Sequence, residues 1–506
     1  MTTTTQEIPR QADILVIGAG FAGLTAAIKL REAGRDVVVL ERGHDVGGTW
    51  RDNSYPGCAC DVPSHLYSFS FAPNPDWSRT FSPQGEIYAY LQRTATEYGV
   101  LPVTHFGVEV LAARWDGAHQ RWQVSTNKGD LTARVLVSGA GALSEPSVPA
   151  LPGLESFAGT TFHSATWQHD HDLRGERVAV IGTGASAIQF VAPVQKSAAK
   201  LTVFQRTAPW VLPRRDRDIR PVERWIYRHL PAAKRLNRAG IYSGRESWLV
   251  GFAIQPKLMK LAEKQALRYL RKQVPDPVLR AKLTPHYRLG CKRVLLSNDY
   301  FPALNQSNVD VVTDSIVEVL PHAVVTADAS GGRTEHLVDT IIFGTGFHVT
   351  DPPIAERIYG ADGCSLAEHW AGTGMAALHG LAVNGFLNFF MLVGPNTGLG
   401  HSSIVYMIEA QVHYLVDALR QMDASGVGAI EPRQDVQDAY NERLQKALAD
   451  TVWSTGGCAS WYLDERRRNT TLWPTFTFVF RRQLNECDLD EFVTHARVRE
   501  PASAAA

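Results

Sequence analysis

One local pattern, an apolar strand followed by a glycine-rich turn and a helix, occurs twice in this sequence of 506 residues. The first copy has its strand at residues 13–17 and the turn Gly18-Ala-Gly20-Phe-Ala-Gly23. The second has its strand at residues 177–181 and the turn Gly182-Thr-Gly184-Ala-Ser-Ala187. Both strands are almost continuously apolar, as expected when helices cover both faces of a parallel sheet. The repeat predicts an α/β chain with two Rossmann-like dinucleotide-binding domains.

The remaining sequence divides around these two copies. Strand-like runs at residues 115–124 and 133–138 are expected to return to the first sheet, and prolines at 146–152 mark a linker. Residues from about 216 to 288 have helical spacing without a strand pattern. We therefore expect a first domain at residues 1–148 and 385–506, a second domain at 149–215 and 289–384, and a helical insertion at 216–288 in the second domain.

Composition limits the class of protein. A chain of this length is too long for one hydrophobic core. Because 51 Lys and Arg balance 51 Asp and Glu, no global field attracts nucleic acid or an anionic membrane. The start of the sequence has no apolar signal segment, and no window reaches the roughly 18 apolar residues of a membrane span. We expect a cytoplasmic protein without a membrane span or a nucleic-acid partner.

Charged and metal-binding residue types add further expectations. Arginines between residues 214 and 238 could contact an anion or a membrane, but the interspersed Asp216, Asp218 and Glu223 favour a solvated helical face. The six cysteines show no C-x-x-C spacing, so we expect reduced thiols without disulfides or a zinc site. The histidines near residues 163–171 have no matching set of ligands, so no metal is expected.

The first turn predicts a site for a nucleotide that lacks a 2′-phosphate. Gly18, Gly20 and Gly23 permit a tight turn that brings backbone N–H groups to a pyrophosphate at the helix N-terminus. Glu41 ends the next strand, 23 residues after Gly18. A carboxylate at that place suits a pair of ribose hydroxyls and repels a 2′-phosphate. The site therefore takes FAD or NAD, and its N-terminal position favours FAD.

The second turn predicts a different nucleotide. Its residues are Gly182, Thr183, Gly184 and Ser186, followed by Ala187 where the first turn has a third glycine. The next strand ends at Arg206 and Thr207, and Arg206 stands 24 residues after Gly182. A guanidinium there can pair bidentately with a 2′-phosphate, so the expected ligand is NADPH. The alternative is an arginine that only faces solvent.

A segment between the two turns resembles a family signature. It reads Phe157-Ala-Gly159-Thr-Thr-Phe-His163-Ser-Ala-Thr-Trp167 and is similar to the F-x-G-x-x-x-H-x-x-x-W fingerprint of Baeyer–Villiger monooxygenases. Related flavin-containing and N-hydroxylating monooxygenases usually carry another residue where Trp167 stands. The resemblance implies that His163 links the two domains and couples their motion. Without it, His163 would be a hinge or core histidine.

Further matches extend the resemblance over nearly the whole chain. The run that begins Gly47-Gly48-Thr49-Trp50 and ends at Asp61 resembles the signature that lines the flavin, and residues 339–347 resemble the strand and turn that close the NADPH domain. The run 290–293 resembles the segment that supplies the active-site arginine, here Arg293, and implies that Lys292 lies near the NADPH phosphate. Trp461 falls where the family has a mobile loop that folds over bound cofactor, near residues 455–470.

The resemblance implies an NADPH- and O₂-dependent Baeyer–Villiger oxidation. NADPH reduces FAD, the reduced flavin adds oxygen to give a C4a-peroxyflavin, and this peroxide attacks an apolar ketone to yield an ester or lactone. Arg293 and Asp61 are the implied catalytic pair, because an anionic peroxide needs a fixed cation that does not donate its proton. Spacing alone does not pair two residues more than 200 positions apart.

Three alternatives remain open at this stage. A flavin monooxygenase that oxygenates sulfur or nitrogen would share both nucleotide sites but would not require Arg293. An NADPH-dependent disulfide reductase would need a redox-active pair, and Cys58-Ala-Cys60 has one intervening residue rather than two. A catalytically silent flavoprotein could act as a binding module. The sequence determines neither the ketone nor the oligomeric state.

Overall fold

The structure of the protein, a computed structural model, describes residues 7–498. The C-terminal run at residues 501–506, which the sequence suggests is a frayed tail, and residues 1–6 lie outside this range. Within it, no helix is both long and apolar enough to cross a bilayer.

The described residues form a mixed set of strands and helices. The strands are β1 Gln11–Ile17, β2 Val37–Glu41, β3 Thr104–Phe106, β4 Val110–Asp116, β5 Arg121–Thr126, β6 Gly129–Ser138, β7 Thr160–His163, β8 Arg177–Ile181, β9 Lys200–Phe204, β10 Val211–Leu212, β11 Leu295–Leu296, β12 Val309–Val312, β13 Ser315–Leu320, β14 Ala323–Ala327, β15 Arg333–Leu337, β16 Thr340–Phe343, β17 Ile358–Tyr359, β18 Phe389–Met391, β19 Val427–Pro432 and β20 Phe492–Ala496. The α-helices are α1 Phe21–Glu32, α2 Thr49–Asp52, α3 Gln84–Glu97, α4 Ala187–Ser197, α5 Pro221–His229, α6 Pro231–Glu246, α7 Met259–Gln273, α8 Pro277–Lys282, α9 Tyr300–Leu304, α10 Leu366–Ala371, α11 Ile404–Ala424, α12 Gln434–Ala449, α13 Val452–Thr455 and α14 Thr477–Gln483.

The first glycine turn belongs to an eight-stranded sheet in the order β17-β4-β5-β6-β1-β2-β3, with β18 also paired to β6. Strand β1 lies between β2 and β6, parallel to both. Every residue of β2 is buried, as the apolar run at residues 37–40 predicts, and the buried set includes Glu41 at its end. The first turn therefore leaves the carboxyl end of a central strand, where ligands bind in open parallel sheets.

The second glycine turn belongs to a five-stranded sheet in the order β12-β9-β8-β16-β7. Its neighbouring strands run parallel throughout. Strand β16, Thr340–Phe343, forms the strand part of the predicted closing strand and turn at residues 339–347. The two sheets agree with the predicted α/β fold with two Rossmann-like units.

One predicted strand is wrong. Residues 115–124, expected to form a single strand, instead form the end of β4, a turn and the start of β5, which pair antiparallel with Trp115 opposite Trp122. The turn arises because the Asp116 carboxylate accepts hydrogen bonds from the backbone N–H groups of Ala118 and His119. The Asp-Gly step that begins this turn is a hairpin signal in the sequence.

Two further features differ from the expected organisation. Residues 315–337 form an antiparallel meander, β13-β14-β15, that the sequence analysis does not assign. Strand β17 already pairs with β4 of the first sheet at Ile358, whereas the expected return lies at residue 385. The chain thus leaves the second sheet after β16 and reaches the first sheet before Tyr359.

Residues between β10 and β11 are helical in the structure. They contain α5, α6, α7 and α8, with a π-helical turn at Val250–Ile254 before α7. β10 and β11 pair with each other in parallel, which brings the two ends of this helical segment together. The helical segment is therefore a single insertion whose two ends lie side by side.

Candidate active site

The first turn has glycine where a side chain would collide with backbone. A Cβ atom on Gly23 would lie 1.8 Å from the carbonyl oxygen of Gly18, and Gly18 itself has a φ of +93°. A Cβ on Gly20 would meet only ordinary contact with Gly48, at 3.6 Å. Gly18 and Gly23 are thus required by the turn itself, whereas the space beside Gly20 is available to a ligand.

The start of α1 is free to receive an anion. No side chain caps its N-terminus at Gly20, and no acidic residue lies in its first turn. The positive end of the helix dipole and the first N–H groups therefore face the space above the turn. This arrangement fits a pyrophosphate.

Glu41 is buried and held from three directions. One carboxylate oxygen accepts the backbone N–H of Ala19 at 2.8 Å, and the other accepts that of Gly43 at 2.7 Å. The guanidinium of Arg51 lies 2.9 Å from the second oxygen. The carboxylate is fixed beside the turn and keeps unused lone pairs for ribose hydroxyls. Arg51 has no sequence signal that would assign it this role.

A groove runs from the first turn across the carboxyl end of the first sheet. It is lined by Gly18, Gly20, Glu41, Gly48, Thr49 and Trp50 among the predicted cofactor residues, together with Ile404 and Ile408 at the start of α11. Gly23 lies under the turn, and Asp61 lies in a different cavity. The groove thus joins the first turn to the segment that resembles the flavin signature.

The second turn repeats the geometry with one change. Gly182 has a φ of +108°, and a Cβ there would lie 2.4 Å from the carbonyl oxygen of Gly344. Ala187 is buried and begins α4, whose N-terminus has neither a side-chain cap at Ser186 nor an acidic residue in its first turn. Thr183 donates a hydrogen bond to the carbonyl of Thr207, which ties the turn to the end of β9.

Two cations lie close together near the second turn, Arg206 just after β9 and Lys292 just before β11. Arg206 is exposed, and within residues 7–498 it makes no hydrogen bond or ion pair. Lys292 is half-buried near it, and burial together with the charge of Arg206 holds the pKa of Lys292 below its usual value. Two like charges close together without a carboxylate repel each other. A bound phosphate dianion would relieve that repulsion.

Asp61 and Arg293, 232 residues apart in the sequence, form a bidentate pair. Arg293 Nε and Nη2 donate to the two carboxylate oxygens at 2.5 and 2.7 Å, and Nη1 donates to the carbonyl of Leu399 at 3.0 Å. Burial alone would lower the pKa of Arg293, but Asp61 raises it above its ordinary value. Burial alone would raise the pKa of Asp61, but Arg293, Arg245 and Arg214 hold it below its usual value. The guanidinium is therefore a permanent, fixed cation.

This pair lines a small cavity with residues that the sequence analysis did not single out. The other walls are Leu212, Arg245, Trp248, Phe252, Val294, Leu296, Gly400 and His401. Arg245, at the end of α6, donates to the main-chain carbonyl of Asp61. The following residue, Glu246, lies 3.3 Å from His401 and accepts two hydrogen bonds from Thr477. No motif joins α6 to Asp61 or His401, so only packing could reveal them.

The predicted linker residues lie at the edge of the second sheet. A Cβ on Gly159 would lie 2.0 Å from the carbonyl of Asp339, and the ring of Phe157 covers the same glycine. His163 is buried, accepts the backbone N–H of Ala165, and has its pKa lowered to about 4 by burial. Trp167 packs on Phe190 of α4, with 5.4 Å between ring centroids. These side chains hold the linker against the second sheet.

The expectation of reduced thiols without disulfides is wrong for one pair. Cys291 and Cys458 form a disulfide, while Cys58, Cys60, Cys364 and Cys487 are free. The partners are 167 residues apart, a pairing that spacing could not show. It attaches the segment of Arg293 to the segment that leads to Trp461, whose side chain is 43% exposed. Tyr462, beside it, is fully buried.

The remaining cysteines and the metal expectation concern the alternative chemistries. Burial raises the pKa of Cys58 to about 12 and raises that of Cys60 further. Neither thiol ionises near neutral pH, which disfavours the disulfide reductase alternative. Within the described part of the chain, no group of three His, Cys, Asp or Glu side chains is arranged to hold a metal ion.

Comparison with known proteins identifies similar chains. The family described as flavin-binding monooxygenase-like matches residues 11–235. A Baeyer–Villiger monooxygenase of Streptomyces coelicolor is 52% identical over 501 residues, covering 99% of this chain and 95% of that protein. One of Pseudomonas aeruginosa is 46% identical over 494 residues, covering 97% and 93%.

A solved structure extends the similarity to the fold. The crystal structure of OTEMO in complex with FAD and NADP has a TM-score of 0.86 and 28% sequence identity to this chain. The match covers 96% of this chain and 99% of that one. The resemblance inferred from short motifs is thus confirmed over nearly the full length.

Proposed function

The chain belongs to the Baeyer–Villiger monooxygenases, and from this premise we propose that it holds FAD at the first turn and NADPH at the second. With molecular oxygen it inserts one oxygen atom beside the carbonyl of an apolar ketone and gives an ester or lactone. As the sequence suggests, we also propose that the reaction takes place in the cytoplasm.

The Asp61–Arg293 pair carries the choice of reaction. Oxygen insertion next to a carbonyl needs an anionic oxidant that keeps its negative charge until it attacks the ketone. A guanidinium stabilises that charge and does not give up its proton. The bidentate contact with Asp61 holds the cation in one orientation. Oxygenation of sulfur or nitrogen places no such demand on the site, so the pair favours the ketone reaction.

FAD, when bound, supplies the acceptor for hydride and the site of oxygen activation. The residues of the first turn would bind and orient it. The open space at Gly20 and the uncapped start of α1 suit its pyrophosphate, and Glu41 suits its ribose. Gly48, Thr49 and Trp50 line the same groove and are placed to contact the rest of the dinucleotide.

NADPH binding rests on the second turn and its cations. Thr183, Gly184 and Ser186 lie at the uncapped start of α4, which suits the pyrophosphate. Arg206 is exposed and without an ion pair in the described chain, and Lys292 lies near it. These two side chains would hold the 2′-phosphate, with Thr207 completing the end of β9.

Residues outside the two turns would couple the sites. We assign Trp461 to the segment that covers bound cofactor, since it is exposed and follows the Cys291–Cys458 disulfide. We assign His163 and Trp167 to the linker that connects the two domains and couples their motion during turnover. The apolar walls Trp248, Phe252 and Leu212 beside Arg293 favour an apolar ketone.

Product analysis tests this function. The purified protein is incubated with NADPH, oxygen and a panel of cyclic, linear and aromatic ketones and one sulfide, and the products are identified by mass spectrometry. We expect esters or lactones that carry one atom of oxygen from ¹⁸O₂. Oxygenation of the sulfide alone would move the sulfur or nitrogen monooxygenase into first place.

A further inference from the structure

Helix α7 and the turn before it present a face to solvent that carries cations and no carboxylate. Its exposed residues are Ile254, Lys257, Leu258, Lys260, Leu261, Lys264, Gln265, Arg268, Arg271 and Lys272. We call this surface the α7 face. At 100° per residue the exposed positions of α7 itself, from Lys260 to Lys272, fall on one side of the helix, while Met259, Ala266 and Leu270 are buried on the other. Ile254, Lys257 and Leu258 belong to the two short turns that lead into α7.

The six cations of the α7 face have no counter-charge in the described chain. Within residues 7–498, none of their side chains makes a hydrogen bond or ion pair. The one carboxylate of α7, Glu263, is turned away and lies 3.5 Å from Arg288. The charges around residues 216–223 are balanced by contrast, because Arg217 pairs with Glu223 and Asp216 pairs with Arg79. The α7 face is therefore a local positive surface on a chain of zero net charge.

Three exposed aliphatic side chains accompany these cations. Ile254, Leu258 and Leu261 are 61%, 47% and 68% exposed. A single exposed leucine is ordinary in a soluble protein, but three within eight residues beside six unpaired cations combine the apolar groups and the positive charge that bind an anionic membrane surface. The cations suit lipid phosphates, and the aliphatic groups suit the boundary below them.

The α7 face is continuous with the wall of the catalytic cavity. Trp248 and Phe252 line that cavity beside Arg293, and Phe252 is almost fully buried. Two residues later, Ile254 is exposed at the end of the π-helical turn. A short stretch of chain thus leads from the site of ketone oxidation to the α7 face.

We propose that the α7 face docks the enzyme on the surface of an anionic lipid bilayer. In this position the cavity lies close to a phase in which apolar ketones concentrate, a consequence that rests on the proposed function. A second copy of the chain does not suit the surface, since a symmetric contact would set its cations against themselves. A nucleic acid would engage the cations and leave the aliphatic side chains in water.

Vesicle sedimentation tests the docking. The holoenzyme is mixed with vesicles of phosphatidylcholine alone, or of phosphatidylcholine with phosphatidylglycerol, at low and high salt. We expect binding to the anionic vesicles only, weakened by salt. The variant K260E/K264E/R268E should bind at least about 100-fold more weakly, since each basic residue near an anionic surface contributes about a factor of five. I254S/L261S should bind more weakly at both salt concentrations.

A matched control separates surface position from total charge. K196E/R443E/K446E makes the same charge change on exposed residues of α4 and α12 and should bind like the wild type. FAD content and NADPH oxidation should be unchanged in all three variants. Absence of wild-type binding, equal loss in the control, or a dimer in light scattering that the α7 variants dissociate would overturn the proposal. Vesicle binding is read independently of ketone products, so failure of the proposed reaction would be seen separately.

Discussion

The two glycine turns share a backbone geometry. They differ in how the structure holds the charged side chain that each unit would use to recognise its nucleotide. Glu41 of the first turn is buried and bound by two backbone N–H groups and by Arg51. Arg206 of the second turn is exposed, and in the described chain it has no hydrogen bond or ion pair. The Glu41 carboxylate is therefore held in one position, whereas no contact within residues 7–498 holds the Arg206 guanidinium.

This difference matches two kinds of ligand. A buried, preorganised site loses little side-chain entropy on binding and retains a resident cofactor. An exposed arginine must be ordered each time, which suits a nucleotide that enters and leaves in every turnover. Under the proposed function, the same fold unit would serve a prosthetic group at one position and a co-substrate at the other.

The largest effect is expected at the third position of the turns, where the first has Gly23 and the second Ala187. Gly23→Ala should abolish FAD binding, because the new Cβ would lie 1.8 Å from the Gly18 carbonyl. Ala187→Gly should cost at most about 1 kcal/mol of stability, the ordinary penalty of a helical glycine. Flavin absorbance per mole of protein and thermal unfolding measure both. A yellow, fully loaded Gly23→Ala protein would show that the turn can rearrange.

The next effect separates chemistry from nucleotide binding. Arg293→Ala should reduce ketone oxygenation by about 10²–10³, the usual loss when one electrostatic stabiliser is removed, while NADPH oxidation continues and releases hydrogen peroxide. Arg293→Lys should recover little, because an ammonium lacks the planar fork that meets Asp61. Product yield and peroxide per NADPH consumed are the measurements. Wild-type ester formation by Arg293→Ala would remove this residue from the mechanism.

A smaller effect is expected for Arg206, the exposed arginine of the second unit. Arg206→Ala removes charge-assisted hydrogen bonds of about 1.5–3 kcal/mol, so the KM for NADPH should rise about 10- to 100-fold. Turnover with NADH should change little, and FAD content should be that of the wild type. Glu41→Gln should do the reverse, with lower FAD occupancy and no change in preference between NADPH and NADH. Equal losses with both nucleotides would make Arg206 structural.

The smallest effect concerns the linker and appears only in acid. His163 is neutral when folded because burial lowers its pKa to about 4, against about 6.5 in an unfolded chain. The unfolded state therefore binds more protons between these values, and His163 costs stability as pH falls from 6.5 towards 4. His163→Gln should match the wild type in melting temperature at pH 7.5 and lose less on acidification. If the melting temperatures of the two proteins fell equally on acidification, His163 would not titrate in this pH range.

Much of the fold could be predicted because its signals are local. The run of apolar residues in β2, the positive φ of Gly18 and the spacing from Gly18 to Glu41 follow from strand and turn geometry within one unit. The hairpin at residues 115–124 has a local signal too, the Asp-Gly step within an apolar stretch. The apolar residues on both sides of that step favour one continuous strand, whereas Asp116 holds a turn there.

The sequence alone determined the two nucleotide units, the difference between Glu41 and Arg206, and, through family resemblance, the reaction. Only the tertiary structure decided the contacts between distant segments. The bidentate geometry of Asp61 and Arg293, the disulfide from Cys291 to Cys458, and the approach of Arg245 to Asp61 join residues 232, 167 and 184 positions apart. Spacing encodes repeating backbone geometry over a few turns or strands, whereas these pairs depend on how whole elements pack, and no local periodicity records that packing.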